Sequence, residues 1–266
     1  MGVLNITPDS FSDGGRWLTR GRPNLDALRK EASAMIEAGA SILDIGGEST
    51  RPGALEVSEQ EELDRVLPVF EALAADCEAV LSLDSSTPAV MRAAAAAGAG
   101  MLNDVRALQR DGALQVAATL GLPVCLMHMQ GAPDNMQQAP RYHDVLAEVT
   151  AFLAARARDC MNAGIPRSQL VIDPGFGFGK SLTHNLALLA KLDDLAALGF
   201  PVMAGLSRKS LIAKLTGREG GDRLPGSLAL AMLAAQRGAS ILRVHDVAET
   251  ADVLRILRAL KDVQIS

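Results

Sequence analysis

Short apolar runs alternate with amphipathic stretches along the whole chain. Eight of these runs are almost continuously apolar, which is typical of parallel strands that are buried on both faces of a sheet. They predict strands at residues 2–5, 41–46, 80–84, 101–104, 123–128, 170–173, 201–206 and 241–245. Between them, apolar residues recur with the period of an α-helix, for example at 25, 28, 32, 35 and 36, at 145, 149, 152 and 153, and at 253, 254, 257 and 260.

Glycine marks the boundary between most helical stretches and the strands that follow. The glycines in these positions are Gly39, Gly98, Gly121, Gly164, Gly199 and Gly238. Glycine adopts the left-handed conformation in which many helices end. Eight strand–helix units in 266 residues predict an α/β fold, a (β/α)₈ TIM barrel that forms a single domain over residues 1–266. A doubly wound open sheet is the alternative.

The amino-acid composition limits the kinds of partner that such a barrel is expected to bind. Hydrophobic residues make up 48% of the chain, so a full core can form. Aromatic residues make up only 3% and the formal net charge is −5, which argues against a nucleic-acid surface. No apolar run reaches the roughly 18 residues of a membrane span, and no signal peptide is visible. The three cysteines form no CxxC pair, so we expect reduced thiols and a cytoplasmic protein.

Polar or charged residues end every predicted strand. In order along the chain they are Asn5, Asp44, Asp84, Asn103, His128, Asp173, the run 207–209, and Arg243 with His245. The active site of a TIM barrel lies at the carboxyl ends of its strands. Polar loops are also expected simply where loops meet solvent, but eight polar strand ends together favour an enzyme.

The chemistry of these strand ends points to a small, phosphate-bearing ligand. Asp84, Asn103 and Asp173 can hydrogen-bond a flat heterocycle that carries ring N–H and amino groups. Cations on the flanking strands suit a phosphate, and they are Arg51, Arg208, Lys209, Arg243 and His245. Asn5 offers an oxygen to a hard metal ion.

Three other features have structural interpretations beside the functional ones. The segment 175–181 suggests a phosphate-binding P-loop, but the spacing of its first glycine to the Gly-Lys pair is wrong. His128 is either a packed strand-end histidine or a ligand contact. Asp44 faces either the barrel interior or the site, and we favour the interpretation that it is a structural partner of nearby basic groups.

Six motifs, in order over essentially the whole chain, resemble those of the dihydropteroate synthase family. They are NITPDSFSDGG (5–15), DIGGESTRPGA (44–54), LNDV (102–105), DPGFGFGK (173–180), GLSRKS (205–210) and RVHD (243–246). The resemblance implies a transferase of folate biosynthesis that joins 6-hydroxymethyl-7,8-dihydropterin diphosphate to 4-aminobenzoate, releasing pyrophosphate. Family members usually carry a short segment before the first strand, so we expect such a segment to be missing here.

The resemblance also implies a role for each matching residue. The catalytic set would be Asp84, Asp173, Lys209, Arg243 and His245. Asp84, Asn103, Asp173 and Lys209 would hold the pterin ring, lined by Met127, Phe178 and Gly205. Arg243 and His245 would contact the diphosphate, with Asn5 helping to bind Mg²⁺. Thr50, Arg51, Pro52, Phe178, Lys209 and Ser210 would form the aminobenzoate pocket beneath the loops 7–15 and 48–53.

Further expectations concern partners and alternatives. Family members are commonly homodimers through helices late in the barrel, and sulfonamides are expected to compete with aminobenzoate. One alternative is a pterin-binding methyltransferase domain that passes a methyl group from a reduced folate to a corrinoid. The other is a non-catalytic pterin-binding module, which would not need Asn5, Arg243 and His245.

Overall fold

Eight parallel strands form one sheet in the computed structural model, which describes residues 1–8, 17–19, 21–50, 54, 57–131, 136, 139–218 and 222–264. These strands are β1 (Gly2–Asn5), β4 (Ile42–Gly46), β5 (Val80–Asp84), β6 (Met101–Asp104), β7 (Val124–Met127), β8 (Leu170–Asp173), β9 (Val202–Ala204) and β10 (Ala239–Leu242). Their order in the sheet is β1-β4-β5-β6-β7-β8-β9-β10. Strands β2 (Leu18–Thr19) and β3 (Arg22–Pro23) form a separate antiparallel hairpin.

The segment after β10 closes the sheet against β1. The amide of Val244 donates to the Met1 carbonyl at 2.9 Å, and the amide of Val3 donates to the Val244 carbonyl at 3.2 Å. A closed parallel sheet confirms the TIM barrel and excludes the doubly wound open sheet. The last strand differs from its prediction at 241–245: it begins at Ala239, and its pairing with β9 shifts register before Ile241.

Helices follow the strands, and the described residues show two departures from one helix per strand. The helices are α1 (Leu25–Glu37), α2 (Glu59–Ala74), α3 (Pro88–Ala96), α4 (Ala113–Leu120), α5 (Val145–Asn162), α6 (Leu182–Ala190), α7 (Leu192–Ala196), α8 (Ser210–Thr216), α9 (Leu224–Gln236) and α10 (Val247–Gln264). Two helices follow β8 and two follow β9. Within the described part of the chain, no helix is long and apolar enough to cross a membrane.

Local sequence signals explain where several helices begin. The Ser58 hydroxyl accepts a hydrogen bond from the Glu61 amide at 3.3 Å and so caps the start of α2. Thr87 precedes Pro88 at the start of α3, but its side chain makes no cap. Its hydroxyl donates to the Glu62 carboxylate at 2.8 Å instead, because a buried carboxylate needs a donor.

Two apolar clusters hold the barrel together. The larger cluster lies between the strands and the surrounding helices, and Phe70 and Phe176 are among its fully buried members. The smaller consists of Met101, Cys125, Val171 and Met203 on neighbouring strands. Cys125 is buried. The apolar face predicted for α10 is only partly covered, since Leu257 is buried whereas residues 254 and 260 are exposed.

Candidate active site

The strand register brings the predicted polar residues to one end of the barrel. Asn5 pairs with Gly46, Gly46 pairs with Asp84, and Asp84 pairs with Asn103, so these residues share one level across four neighbouring strands. On the other side of the barrel, Asp173 ends β8 beside Met127 of β7. Because all eight strands are parallel, their carboxyl ends meet at a single rim.

Asp44 lies at the centre of a buried hydrogen-bond network. It is fully buried and accepts from Ser82 Oγ at 2.7 Å and from Asn103 Nδ2 at 3.0 Å. Its third donor is Arg243 Nε at 2.6 Å. Asp44 is therefore the structural partner of a basic group, and it orients both Asn103 and Arg243.

Arg243 joins the two carboxylates on this side of the barrel. Its second nitrogen, Nη2, donates to Asp84 Oδ2 at 2.8 Å, while Nε is held by Asp44. Burial raises the pKa of Asp84 above its ordinary value, and the Arg243 charge opposes this shift. The guanidinium thus neutralises part of the negative charge at this rim rather than extending into solvent. We refer to the carboxyl groups of Asp84 and Asp173 at the rim as the acidic cradle.

Two further groups of opposite charge lie at this rim, Asp173 at the end of β8 and Lys209 in the loop after β9. Burial raises the pKa of Asp173, and the Lys209 charge opposes the rise. Burial also lowers the pKa of Lys209 to about 8. Lys209 Nζ donates to the carbonyl of Phe176 and lies 4.7 Å from the centroid of the Phe178 ring. Gly205 lies beside Lys209, where a Cβ would come within 3.9 Å of Nζ.

Side-chain contacts join the loops that follow β9 and β10. The His245 amide donates to Ser207 Oγ at 3.2 Å, and its Nδ1 lies 3.1 Å from the same oxygen. Arg208 donates from Nε and Nη2 to the two carboxylate oxygens of Asp246, at 3.0 and 2.5 Å. Arg208 thus has a carboxylate partner in the structure, whereas the sequence pattern predicts it among the phosphate-binding cations.

A salt bridge that sequence analysis did not foresee anchors the loop that contains Thr50. Arg106 Nη1 and Nη2 donate to the two carboxylate oxygens of Glu48 at 2.9 and 3.0 Å. Arg106 is positioned in turn by Asp104, which accepts from the Arg106 amide at 2.8 Å. No local spacing could reveal this pair, because its residues lie on loops 58 positions apart.

The remaining predicted residues have simpler surroundings. Asn5 and Thr50 are half-buried, and Ser210 is exposed at the start of α8. Met127 is buried and lines a cavity of about 250 Å³ between the exits of β6 and β7. Arg51 and Pro52 lie outside the described residues, as do 9–16 of the first loop.

The metal prediction rests on Asn5 alone among the described residues. No group of three or more His, Cys, Asp or Glu side chains there could hold an ion. A hard cation at this rim would accordingly need most of its oxygen ligands from substrate and water, which is how Mg²⁺ is commonly held on phosphates.

Comparison with known proteins identifies the family of the chain. The model of the pterin binding enzyme family matches residues 1–245. The dihydropteroate synthase of Escherichia coli is 52% identical over 259 residues, which cover 97% of this chain and 90% of that protein.

Two solved structures extend the similarity to three dimensions. A Yersinia pestis dihydropteroate synthase in complex with a sulfonamide drug has a TM-score of 0.94 and 51% identity, and the match covers 98% of this chain and 93% of that one. The Xanthomonas albilineans enzyme in complex with 7,8-dihydropteroate has a TM-score of 0.86 and 51% identity, with 98% and 92% covered. The chain belongs to the pterin-binding enzymes and, within them, to the dihydropteroate synthase family.

Proposed function

We propose that the protein transfers the dihydropterin-methyl group of 6-hydroxymethyl-7,8-dihydropterin diphosphate to 4-aminobenzoate, giving 7,8-dihydropteroate and pyrophosphate. The observation that carries this proposal is the rim itself. There, Asp84 ends β5 and accepts a hydrogen bond from Arg243 at 2.8 Å. Asp173 ends β8, where the charge of Lys209 opposes the rise of its pKa. An acidic cradle beside basic groups suits a flat heterocycle with an anionic tail.

The acidic side of the rim would bind the pterin ring. Asp84 and Asp173 can accept hydrogen bonds from ring N–H and amino groups, and Asn103 can both donate and accept. Lys209 can donate to a ring carbonyl or nitrogen. Met127 and Phe178 would contact the faces of the ring. If the diphosphate leaves first, the ring delocalises the positive charge that remains, and the two carboxylates stabilise it.

The basic side would stabilise the departing diphosphate. Arg243 and His245 would contact its oxygens, and Arg243 is already oriented by Asp44. Mg²⁺ fits the donor set here, since Asn5 offers one amide oxygen and the substrate would supply the others. When bound, the ion supplies charge neutralisation on the leaving group.

The aminobenzoate would bind after the pterin substrate, in a pocket formed partly by the loops. Thr50, Arg51 and Pro52 on the loop after β4, together with Phe178, Lys209 and Ser210, would form its pocket. The amine of aminobenzoate is neutral at pH 7, so no strong general base is needed, and no nucleophile–histidine–acid triad is required. Closure of the loops 7–15 and 48–53 would exclude water from the pterin cation.

We further propose a cytoplasmic homodimer. The exposed apolar side chains Met232 and Leu233 on α9, and Ile256, Leu260 and Val263 on α10, lie on two helices that pack against each other. Such a surface favours association through these late helices. The cysteines Cys77, Cys125 and Cys160 are free thiols, which suits a reducing compartment.

The direct test is product formation from the purified protein. It would be incubated with the dihydropterin diphosphate and labelled 4-aminobenzoate, with Mg²⁺ and with a chelator instead. We expect labelled dihydropteroate and one equivalent of pyrophosphate only with Mg²⁺. Inhibition by a sulfonamide should be relieved by added aminobenzoate. Absence of labelled product with Mg²⁺ would overturn the proposed reaction.

A further inference from the structure

Lys180 is a buried side chain that the proposed reaction does not use; burial lowers the pKa of its ammonium to about 7, against the opposing charge of Asp173. Lys180 ends the glycine-rich segment after β8 and is only 3% exposed. Its Nζ donates to the carbonyl oxygens of Phe178, Gly175 and His128 at 2.9, 3.0 and 3.2 Å. The same nitrogen lies 3.0 Å from Nδ1 of the His128 ring. Four acceptors thus surround an ammonium group with three protons.

The His128 ring is built as an acceptor for this ammonium. Burial lowers the pKa of His128 to about 3, and the Lys180 charge adds to the effect, so the ring is neutral. A neutral imidazole that faces an ammonium accepts through the nearer nitrogen. The ring is fixed by an edge contact with Phe152, with centroids 4.9 Å apart. His128 is therefore a packed residue at the strand end.

The glycine-rich loop rests directly on the backbone after β7. Gly175 and Gly179 have φ values of +67° and +61°. A Cβ at position 175 would collide with the His128 carbonyl oxygen, and one at position 179 with the Gln130 carbonyl oxygen. The backbone of the loop therefore packs directly on the backbone of residues 128 and 130. The Lys180 ammonium bonds to both segments and so fixes the distance between them.

The loop held in this way also positions the site cation. The Phe176 carbonyl accepts from Lys209, and the Phe178 ring lies beneath the same ammonium. The Phe178 carbonyl is itself a partner of Lys180. A shift of the loop would therefore move both contacts of Lys209 at once.

We propose that Lys180 is a positioning residue of the pterin site, which holds the loop 174–179 against the end of β7 so that Phe178 and Lys209 are fixed in their binding geometry. The proposal rests on the proposed function, because it concerns the affinity for the dihydropterin diphosphate. Lys180 itself would not touch the substrate. Without its ammonium, buried carbonyls lose their donor, and the loop must move to find water.

The test compares Lys180→Met, which keeps the length of the side chain without the charge, with Lys180→Gln, which keeps an amide donor. Lys191→Met serves as the control, since Lys191 is exposed beside α6. Calorimetric titration with the dihydropterin diphosphate and Mg²⁺ gives affinity and stoichiometry separately. Hydrogen exchange of the loop amides gives local order.

A positioning role predicts a Kd raised about tenfold or more in Lys180→Met at unchanged stoichiometry. It also predicts faster exchange confined to 174–179, with a smaller rise of Kd in Lys180→Gln and none in Lys191→Met. A role in stability alone would reduce the stoichiometry and leave the Kd unchanged, which would overturn the proposal. If Lys180→Met does not fold, a wild-type Kd in Lys180→Gln overturns it equally. If the wild type itself binds no dihydropterin diphosphate, it is the proposed function that fails.

Discussion

Replacing Arg243 with methionine would remove the cation that joins two carboxylates of the rim. The two hydrogen bonds it donates are 2.6 and 2.8 Å long, and Asp44 is fully buried. Breaking a buried ion pair by removing one partner costs about 3–5 kcal/mol. Because the Arg243 side chain is 23% exposed, we expect the free energy of unfolding to fall by about 3 kcal/mol, the lower end of this range.

The loss should depend on pH through Asp84. Burial raises the pKa of Asp84 above its ordinary value of 3.8, and Arg243 lowers it again. Without Arg243 the folded-state pKa of Asp84 rises further, so the variant retains this proton to higher pH than the wild type. The part of the destabilisation that comes from Asp84 is absent at a pH where Asp84 is protonated in both folded proteins. It grows as the pH rises through the pKa that Asp84 has in the folded wild type. The loss should thus be larger at pH 9 than at pH 5.

Urea unfolding followed by far-ultraviolet circular dichroism at pH 5 and pH 9 measures both effects. The control is Arg218→Met, because Arg218 is 58% exposed and its ion-pair partner Asp222, at 3.1 Å, is 70% exposed. That variant should change the free energy of unfolding by no more than about 0.5 kcal/mol. Equal stability of the two variants, or a larger loss for Arg243→Met at pH 5 than at pH 9, would refute the reasoning.

Three further predictions concern activity and assembly. Because burial lowers the pKa of Lys209 to about 8, kcat/KM should fall above that pH in the wild type. It should not fall in Lys209→Arg, whose guanidinium stays charged, and parallel pH profiles of the two proteins would contradict this. Arg106→Met should raise the KM for aminobenzoate about tenfold, because the salt bridge to Glu48 is lost. The calorimetric Kd for the pterin substrate should stay unchanged, and a change confined to pterin binding would count against this role of Arg106. Ile256→Glu should give a monomer in sedimentation experiments. Leu186→Glu, which changes an exposed residue of α6, should remain a dimer, and a dimer in both variants would exclude the α9–α10 surface as the interface.

The fold and the members of the rim could be predicted because they depend on periodic and topological rules. Continuous apolar runs indicate parallel strands, and parallel strands place their carboxyl ends at one rim. Asp84, Asn103 and Asp173 could therefore be expected at one end of the barrel from the sequence, and the register places them there.

The pairing of charged groups within the rim could not be predicted in the same way. Arg208 with Asp246 and Lys180 with His128 are 38 and 52 positions apart. Which acceptor each cation reaches depends on loop conformation, including the left-handed backbone at Arg208, where φ is +57°. Such a conformation in a residue other than glycine is set by tertiary contacts rather than by local propensity. The sequence could therefore identify the cations, whereas their partners required the structure.

The most direct test of the account is the affinity of the rim for its first substrate. The dihydropterin diphosphate would be titrated with Mg²⁺ into the wild type, into Asp173→Asn, and into Asp111→Asn as an exposed control. We predict tight binding by the wild type and by Asp111→Asn, and a Kd raised about tenfold or more in Asp173→Asn, since an amide replaces a buried acceptor. Wild-type affinity in Asp173→Asn would contradict the acidic cradle, and failure of all three proteins to bind would contradict the pterin site altogether.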